Sequence, residues 1–117
     1  MSAEVRIFYN PECSKCRLTM DILKNKGITA SVVEYLKTPP DSAELSHVLD
    51  MLGLEPRDLM RKHEAPYKQN NLDNPNLNRE QLILAMIEHP VLIERPIIIS
   101  DNKATIGRPP EKVLDIF

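Results

Sequence analysis

Val5-Arg6-Ile7-Phe8-Tyr9 is a short apolar-rich run that predicts a strand, and Asn10-Pro11 ends it. From about Ser14 to Lys26 the period changes. Cys16, Met20 and Leu23 recur at i, i+4 and i+7, and Leu18 with Ile22 widens the stripe, so a helix with one apolar face is expected. Lys24 and Lys26 suit the negative end of that helix, and Gly27 can take the left-handed stop. Ser31 to Leu36 is rich in β-branched residues and predicts a second strand. A β-α-β opening favours parallel strands joined by a right-handed crossover.

Thr38-Pro39-Pro40 interrupts this pattern, and residues 41–90 read as a helical block. Leu45, Val48, Leu49 and Leu52 form an amphipathic stripe, with Asp41 and Glu44 resembling a capping box and Gly53 following its end. Pro56 can open a short helix through Arg61, and residues 65–77 are loop-like. Asn78 and Gln81 are placed to cap a further helix carrying Leu82, Ile83, Met86 and Ile87, which stops before Pro90. The end returns to strands. Ile97-Ile98-Ile99, a turn at Asp101-Asn102 and Lys103 to Gly107 predict a hairpin. Pro109-Pro110 opens a last helix with Val113, Leu114 and Phe117 expected to face inward. The order β-α-β, helical insertion, β-β-α predicts an α/β layer structure, with residues 1–117 as one domain and the insertion at about 41–90.

If the hairpin joins the opening pair in one mixed sheet, its first strand antiparallel to the opening strand, three distant segments meet. Cys13 lies beyond the end of the first strand, Arg95-Pro96 begins the third, and Gly107-Arg108 ends the fourth. All three then converge at one end of the sheet.

Composition narrows the chemistry. A net charge of −2 offers no global basic field for nucleic acid, so any anion site must be local. No apolar run is long enough to span a membrane, and MSAEVRIFY lacks a basic segment followed by an apolar one, so neither membrane association nor a signal peptide is expected. Two cysteines without such a signal predict the reducing cytoplasm, where C-x-x-C is more often catalytic, redox-sensing or metal-binding than structural. Zinc needs four ligands, whereas there is no second C-x-x-C and His47, His63 and His89 are scattered, so no metal is expected.

Cys13 at a helix start faces unpaired N–H groups and the positive end of the helix dipole, both of which stabilise a thiolate. The same N–H groups cradle anions, and an arginine fork grips two oxygens while remaining charged. Against this stand plainer readings: two packed, inert thiols, and arginines that are simply surface residues.

The motifs YNPECSKCR (9–17), VEYLKTPP (33–40), RDLMRKHEAPYK (57–68), EHPVLIERPIII (88–99) and IGRPPEKVLDIF (106–117) together resemble the glutaredoxin-dependent, ArsC-like arsenate reductases, within the wider group that includes Spx-type regulators. The resemblance covers nearly the whole chain. It implies a thioredoxin-like, mixed four-stranded sheet with a helical insertion. It implies Cys13 as the catalytic nucleophile, Arg61, Arg95 and Arg108 as anion-binding residues, and Asn10, Ser14 and Pro96 in support. Arg57 is a neighbour easily mistaken for Arg61. It also places Pro96 where such folds have a cis proline. The implied activity is reduction of arsenate to arsenite through a Cys13–arsenic adduct. Glutathione is the co-substrate, glutaredoxin the partner, no cofactor stays bound, and the protein is a monomer.

Two departures from the family pattern matter. Many members have Ser where this chain has Cys16, which makes Cys16 a candidate secondary thiol and leaves an intramolecular disulfide step open. Some have His where this chain has Tyr9, leaving thiolate activation to the helix end, the arginines, Asn10 and Ser14. Two alternatives therefore stand beside the enzyme: an Spx-like redox sensor binding RNA polymerase, and a general thiol–disulfide oxidoreductase. Spx-type proteins share R-P-I-I-I but lack G-R-P-P, so Arg108 argues for the anion site.

Overall fold

The structure, a computed structural model, describes residues 4–117. The chain divides into two compact units, one of residues 4–38 with Arg95–Phe117, the other Pro39–Glu94.

The first unit is built on a four-stranded sheet. Strands β1 (Val5–Phe8), β2 (Ser31–Val33), β3 (Ile97–Ser100) and β4 (Lys103–Ile106) are ordered β2-β1-β3-β4. β1 and β2 are parallel, as their crossover through helix α1 (Ser14–Asn25) requires, and β3 runs antiparallel to both β1 and β4. This is the mixed, thioredoxin-like sheet expected from the sequence. The register aligns Phe8 with Ile97 and Ile97 with Ile106, so the end of β1, the start of β3 and the end of β4 lie at one edge of the sheet. The Arg95–Pro96 peptide is cis, as expected, and so is Arg108–Pro109.

Alternation along the strands gives the sheet two apolar faces. Val5, Ile7 and Ile98 pack with Leu23 of α1 and Val113 of a terminal 3-10 helix (Pro110–Ile116). Phe8, Ile97 and Ile99 are buried on the opposite face, and Tyr35 stacks on Phe8 with ring centroids 6.4 Å apart.

The second unit holds α2 (Ser42–Leu52), a 3-10 turn (Pro56–Leu59), α3 (Ala65–Gln69), α4 (Arg79–Glu88) and a second 3-10 turn (Pro90–Leu92). Its core gathers Leu45, Val48 and Leu49 of α2 with Leu82, Ile83 and Met86 of α4. The helix ends follow the sequence signals. Asp41 accepts the Glu44 N–H at 2.8 Å, Asn78 and Gln81 cap α4 reciprocally, and Gly53 takes the left-handed conformation. Met60 and Ile93 form an isolated antiparallel bridge, in which the Arg61 N–H donates to Leu92 and the Glu94 N–H to Leu59. Among the described residues no helix is long and apolar enough to cross a membrane.

Several local expectations are corrected. β2 stops at Val33, because β1 turns away at Asn10-Pro11 and leaves later residues no partner; Glu34–Thr38 curl into a turn instead. Residues 65–77 are not all loop: Pro66, in the first turn, supports the short helix α3. The short helix beginning at Pro56 ends at Leu59 because Met60 enters the bridge. On α1, Leu18 is 49% exposed while Thr19 is fully buried, so the inward face is centred on Cys16, Thr19 and Leu23. In the terminal 3-10 helix, with its three-residue repeat, Val113 and Ile116 point inward, whereas Leu114 and Phe117 are exposed.

Ile98→Ala should destabilise the protein by about 2–5 kcal/mol, because it opens a cavity in the central face of the sheet. Leu18→Ala should change stability by no more than about 0.5 kcal/mol. Urea unfolding of both variants checks this, and equal losses would contradict the placement of the inward face of α1.

Candidate active site

The site begins with a turn written into the sequence. Asn10-Pro11-Glu12-Cys13 closes with the Cys13 N–H donating to the Asn10 carbonyl at 2.9 Å, with proline at the position that favours its fixed φ. The Asn10 side chain accepts the Glu12 N–H at 3.0 Å, which stiffens the turn. Arg17 reaches back from α1 to the Pro11 carbonyl at 2.9 Å. This turn delivers Cys13 to the N-cap of α1 in an extended conformation, and no acidic residue in the first turn opposes negative charge there. Ser14, the first residue of the helix, is exposed.

The other end of the chain closes over the sulfur. Arg108 donates from Nε to the Arg95 carbonyl at 2.7 Å, which orients its guanidinium, and its Nη2 lies 3.8 Å from the Cys13 Sγ. The Gly107 N–H donates to the Pro96 carbonyl at 2.9 Å, tying the end of β4 to the segment before β3. Cys13, Cys16, Arg95, Pro96 and Arg108 are thus brought together within the sheet unit, as the supposed topology requires.

The two thiols are electrostatically unequal. Burial opposes ionisation of Cys13, but the backbone N–H and thiol of Cys16 and the Arg95 guanidinium outweigh it and hold the Cys13 thiol below its ordinary value. Cys16 has no exposed surface, and burial pushes it up to about 12. The Asn10 N–H and Arg95 oppose that rise, and the neighbouring Cys13 adds to it. One sulfur is poised as a nucleophile and the other held as a neutral thiol.

Arg61 belongs to the helical unit. There its guanidinium is held by Glu64 at 3.2 Å and Glu94 at 3.1 Å, with His63 at 3.1 Å. Sequence reasoning singled out Arg61 but not the two carboxylates that hold it; the spacing of Glu64 three residues on was the available signal, whereas Glu94 is brought near by the Met60–Ile93 bridge. Arg57 plays a different part. It donates to the Leu72 carbonyl at 2.9 Å and the Asn74 carbonyl at 2.6 Å, fastening the segment after α3. Thr19, behind Cys16 on α1, is fully buried although polar; its place three residues after Cys16 and four before Leu23 was the available signal.

Residues 8–116 match the ArsC family. The chain is 49% identical to the "Uncharacterized protein YfgD" of Escherichia coli (strain K12) over 117 residues, which is 99% of this chain and 98% of that protein. It is 47% identical to the arsenate reductase of Neisseria meningitidis serogroup B (strain ATCC BAA-335 / MC58) over 111 residues, or 94% of this chain and 95% of the other. Among solved structures it is similar to an arsenate reductase from Vibrio cholerae, with a TM-score of 0.96, 46% identity and full coverage of both chains.

Iodoacetamide should alkylate Cys13 with a pH midpoint below the ordinary thiol range, since a depressed pKa keeps thiolate present at lower pH, and Cys16 should stay unmodified in the folded protein. Arg95→Ala should move the Cys13 midpoint upward. Peptide mapping after short pulses across a pH series checks this; an unmoved midpoint would remove Arg95 from the thiolate's surroundings.

Proposed function

The chain belongs to the ArsC family, and from that membership we propose that it is an enzyme that reduces arsenate to arsenite at Cys13. The observation that carries this reading is the pairing of a thiolate-favouring Cys13 at the start of α1 with the guanidiniums of Arg95 and Arg108 at the sulfur. A thiolate and an arsenate anion repel each other. Two fixed cations and a helix N-terminus offset that repulsion without having to reorganise during the reaction.

In the first step the Cys13 thiolate attacks arsenic and an arsenate oxygen leaves as water after taking up protons, forming an S–As(V) bond. Glutathione thiol then displaces a second oxygen as water, giving an arsenic held between two sulfurs. A glutaredoxin thiolate attacks the glutathione sulfur. The As–S bond to glutathione breaks with its electron pair passing to arsenic, which becomes As(III), and a glutaredoxin–glutathione disulfide forms. Hydrolysis of the remaining S–As bond releases arsenite and regenerates Cys13. Arg95 and Arg108 bind the oxyanion and neutralise charge as water departs. Asn10, through its turn, and Pro96, through its tie to Gly107, position the cradle, and Ser14 stands at the helix start beside it. The reaction draws on the glutathione of a reducing cytoplasm, and the protein acts as a monomer. Arg61 enters as a third anion ligand through its family motif alone.

Cys16 is dispensable for turnover in this scheme. Its neutral thiol beside Cys13 gives it a protective, secondary role, and the same adjacency favours general thiol–disulfide exchange as the second reading.

An NADPH-coupled assay with arsenate, glutathione and glutaredoxin, each omitted in turn, tests the proposal. Cys13→Ser should abolish arsenate-dependent turnover, and Cys16→Ser should retain most of it. If Cys16→Ser is as inactive as Cys13→Ser and a Cys13–Cys16 disulfide accumulates, the pair is the catalytic unit.

Arg95→Ala and Arg108→Ala should each lower kcat/KM for arsenate by about ten- to a hundredfold, the loss of one charge-assisted hydrogen bond. Steady-state kinetics over an arsenate series measures this, and unchanged saturation in both variants would displace the pocket. An unchanged arsenate KM in Arg61→Ala removes Arg61 from the proposal.

A further inference from the structure

Gly107 sits immediately before Arg108, where β4 ends and the chain turns toward the terminal 3-10 helix. It is buried, and its bare Cα faces α1. A Cβ there would lie 2.6 Å from Thr19 Oγ1 and 2.9 Å from Pro96 Cγ, with Thr19 Cγ2 at 3.4 Å. The first two separations are below any tolerable contact, so the corner is seated as deeply as the absence of a side chain allows.

The two obstacles differ in stiffness. Pro96 Cγ can shift by repuckering of its ring. Thr19 cannot yield so readily: it is β-branched on a helix, fully buried, and its Oγ1 donates to the Lys15 carbonyl at 2.8 Å. Thr19 also lies between Cys16 and Leu23 on the inward face of α1, so pressure on it is pressure on the helix that carries Cys13 at its start.

Gly107 is likewise connected to both cationic residues. Its N–H donates to the Pro96 carbonyl, Pro96 follows Arg95, and Arg108 donates to the Arg95 carbonyl at 2.7 Å. The corner, α1 and the segment before β3 thus meet at one packed point, in which Gly107 adjoins Arg108 and Pro96 adjoins Arg95.

We propose that Gly107 and Thr19 are positioning residues: the close approach of the bare Gly107 Cα to the Thr19 side chain sets the distance between the Arg95–Arg108 pair and the Cys13 sulfur. Neither residue touches the reacting atoms. A methyl group at position 107 pushes the corner off α1, and the arginines recede from the sulfur together. Trimming Thr19 gives that methyl group room and lets the corner return.

The consequence for arsenate rests on the function proposed above, but the geometry is read independently through the reactivity of Cys13. Iodoacetamide pulses across a pH series, with circular dichroism confirming the fold, give the Cys13 midpoint. Gly107→Ala should raise that midpoint by about one pH unit, which lowers thiolate reactivity at neutral pH by up to about tenfold. The double variant Gly107→Ala/Thr19→Ala should recover most of the loss. Gly107→Ala/Thr19→Val should not, because valine keeps the volume that meets the new methyl group. A folded Gly107→Ala protein with the wild-type midpoint overturns the proposal, as does equal recovery by alanine and valine. Should Gly107→Ala fail to fold, Thr19→Ile adds bulk from the helix side; a raised midpoint supports the proposal, and a folded variant with an unmoved midpoint overturns it. In the coupled assay Gly107→Ala should raise the arsenate KM more than it lowers kcat. If the wild-type protein reduces no arsenate, the proposed function fails while the alkylation series still decides the role of Gly107.

Discussion

The antiparallel pairing of β1 with β3 is the constraint on which the site depends. It aligns Phe8 with Ile97, and the hairpin aligns Ile97 with Ile106. The segment that ends at Cys13, the one that begins at Arg95 and the one that leaves at Arg108 therefore share one edge of the sheet. A slip of one residue would turn Ile98 away from the Val5, Ile7 and Leu23 cluster and bring Ile97 or Ile99 in its place. Register is thus fixed by burial on both faces, and the convergence of one sulfur with two guanidiniums follows from it. The chemistry is held by the hydrophobic core rather than by the polar contacts themselves.

Within that frame the two cysteines are separated by depth and by position on α1. Cys13, at the N-cap, stands where the helix presents its unpaired N–H groups and where Arg95 and Arg108 approach. Cys16 lies one turn further in, without exposed surface, so burial keeps it neutral. The same three-residue spacing that could read as a symmetric redox pair therefore yields one sulfur suited to attack and one suited to reserve. Thr19 continues the buried side of the helix and meets Gly107, so α1 both activates the thiolate at its start and supports the arginine-bearing corner along its side.

The helical unit illustrates how an arginine's role depends on its neighbours. Arg57 and Arg61 are four residues apart, yet Arg57 directs its donors to the backbone carbonyls of Leu72 and Asn74 while Arg61 is matched to carboxylates. The first is a fastening for an irregular segment. The second has its guanidinium paired to two side-chain carboxylates, each a charge-assisted contact.

Features that are local and periodic were legible in the chain before it folded. Turn chemistry placed Cys13 at a helix start, capping pairs bounded α2 and α4, and the apolar runs supplied the strands; the assembled motifs pointed to the family. Each of these signals is carried by residues a few positions apart, so a short window displays it whole. Features that need a partner distant in sequence were settled by the folded arrangement instead. Ser31 to Leu36 carries strand propensity throughout, yet only Ser31–Val33 has β1 beside it. Leu18 and Thr19 are neighbours on one helix, yet the threonine is the buried one, on the inward face with Cys16 and Leu23 and against Gly107. The Arg61–Glu94 pair exists because a bridge between Met60 and Ile93 joins segments 33 residues apart. The alignment of Arg108 on Cys13 is of the same kind: the glycine at 107 is plain in the sequence, but the strand register and the packing of its bare Cα against Thr19 and Pro96 belong to the folded chain.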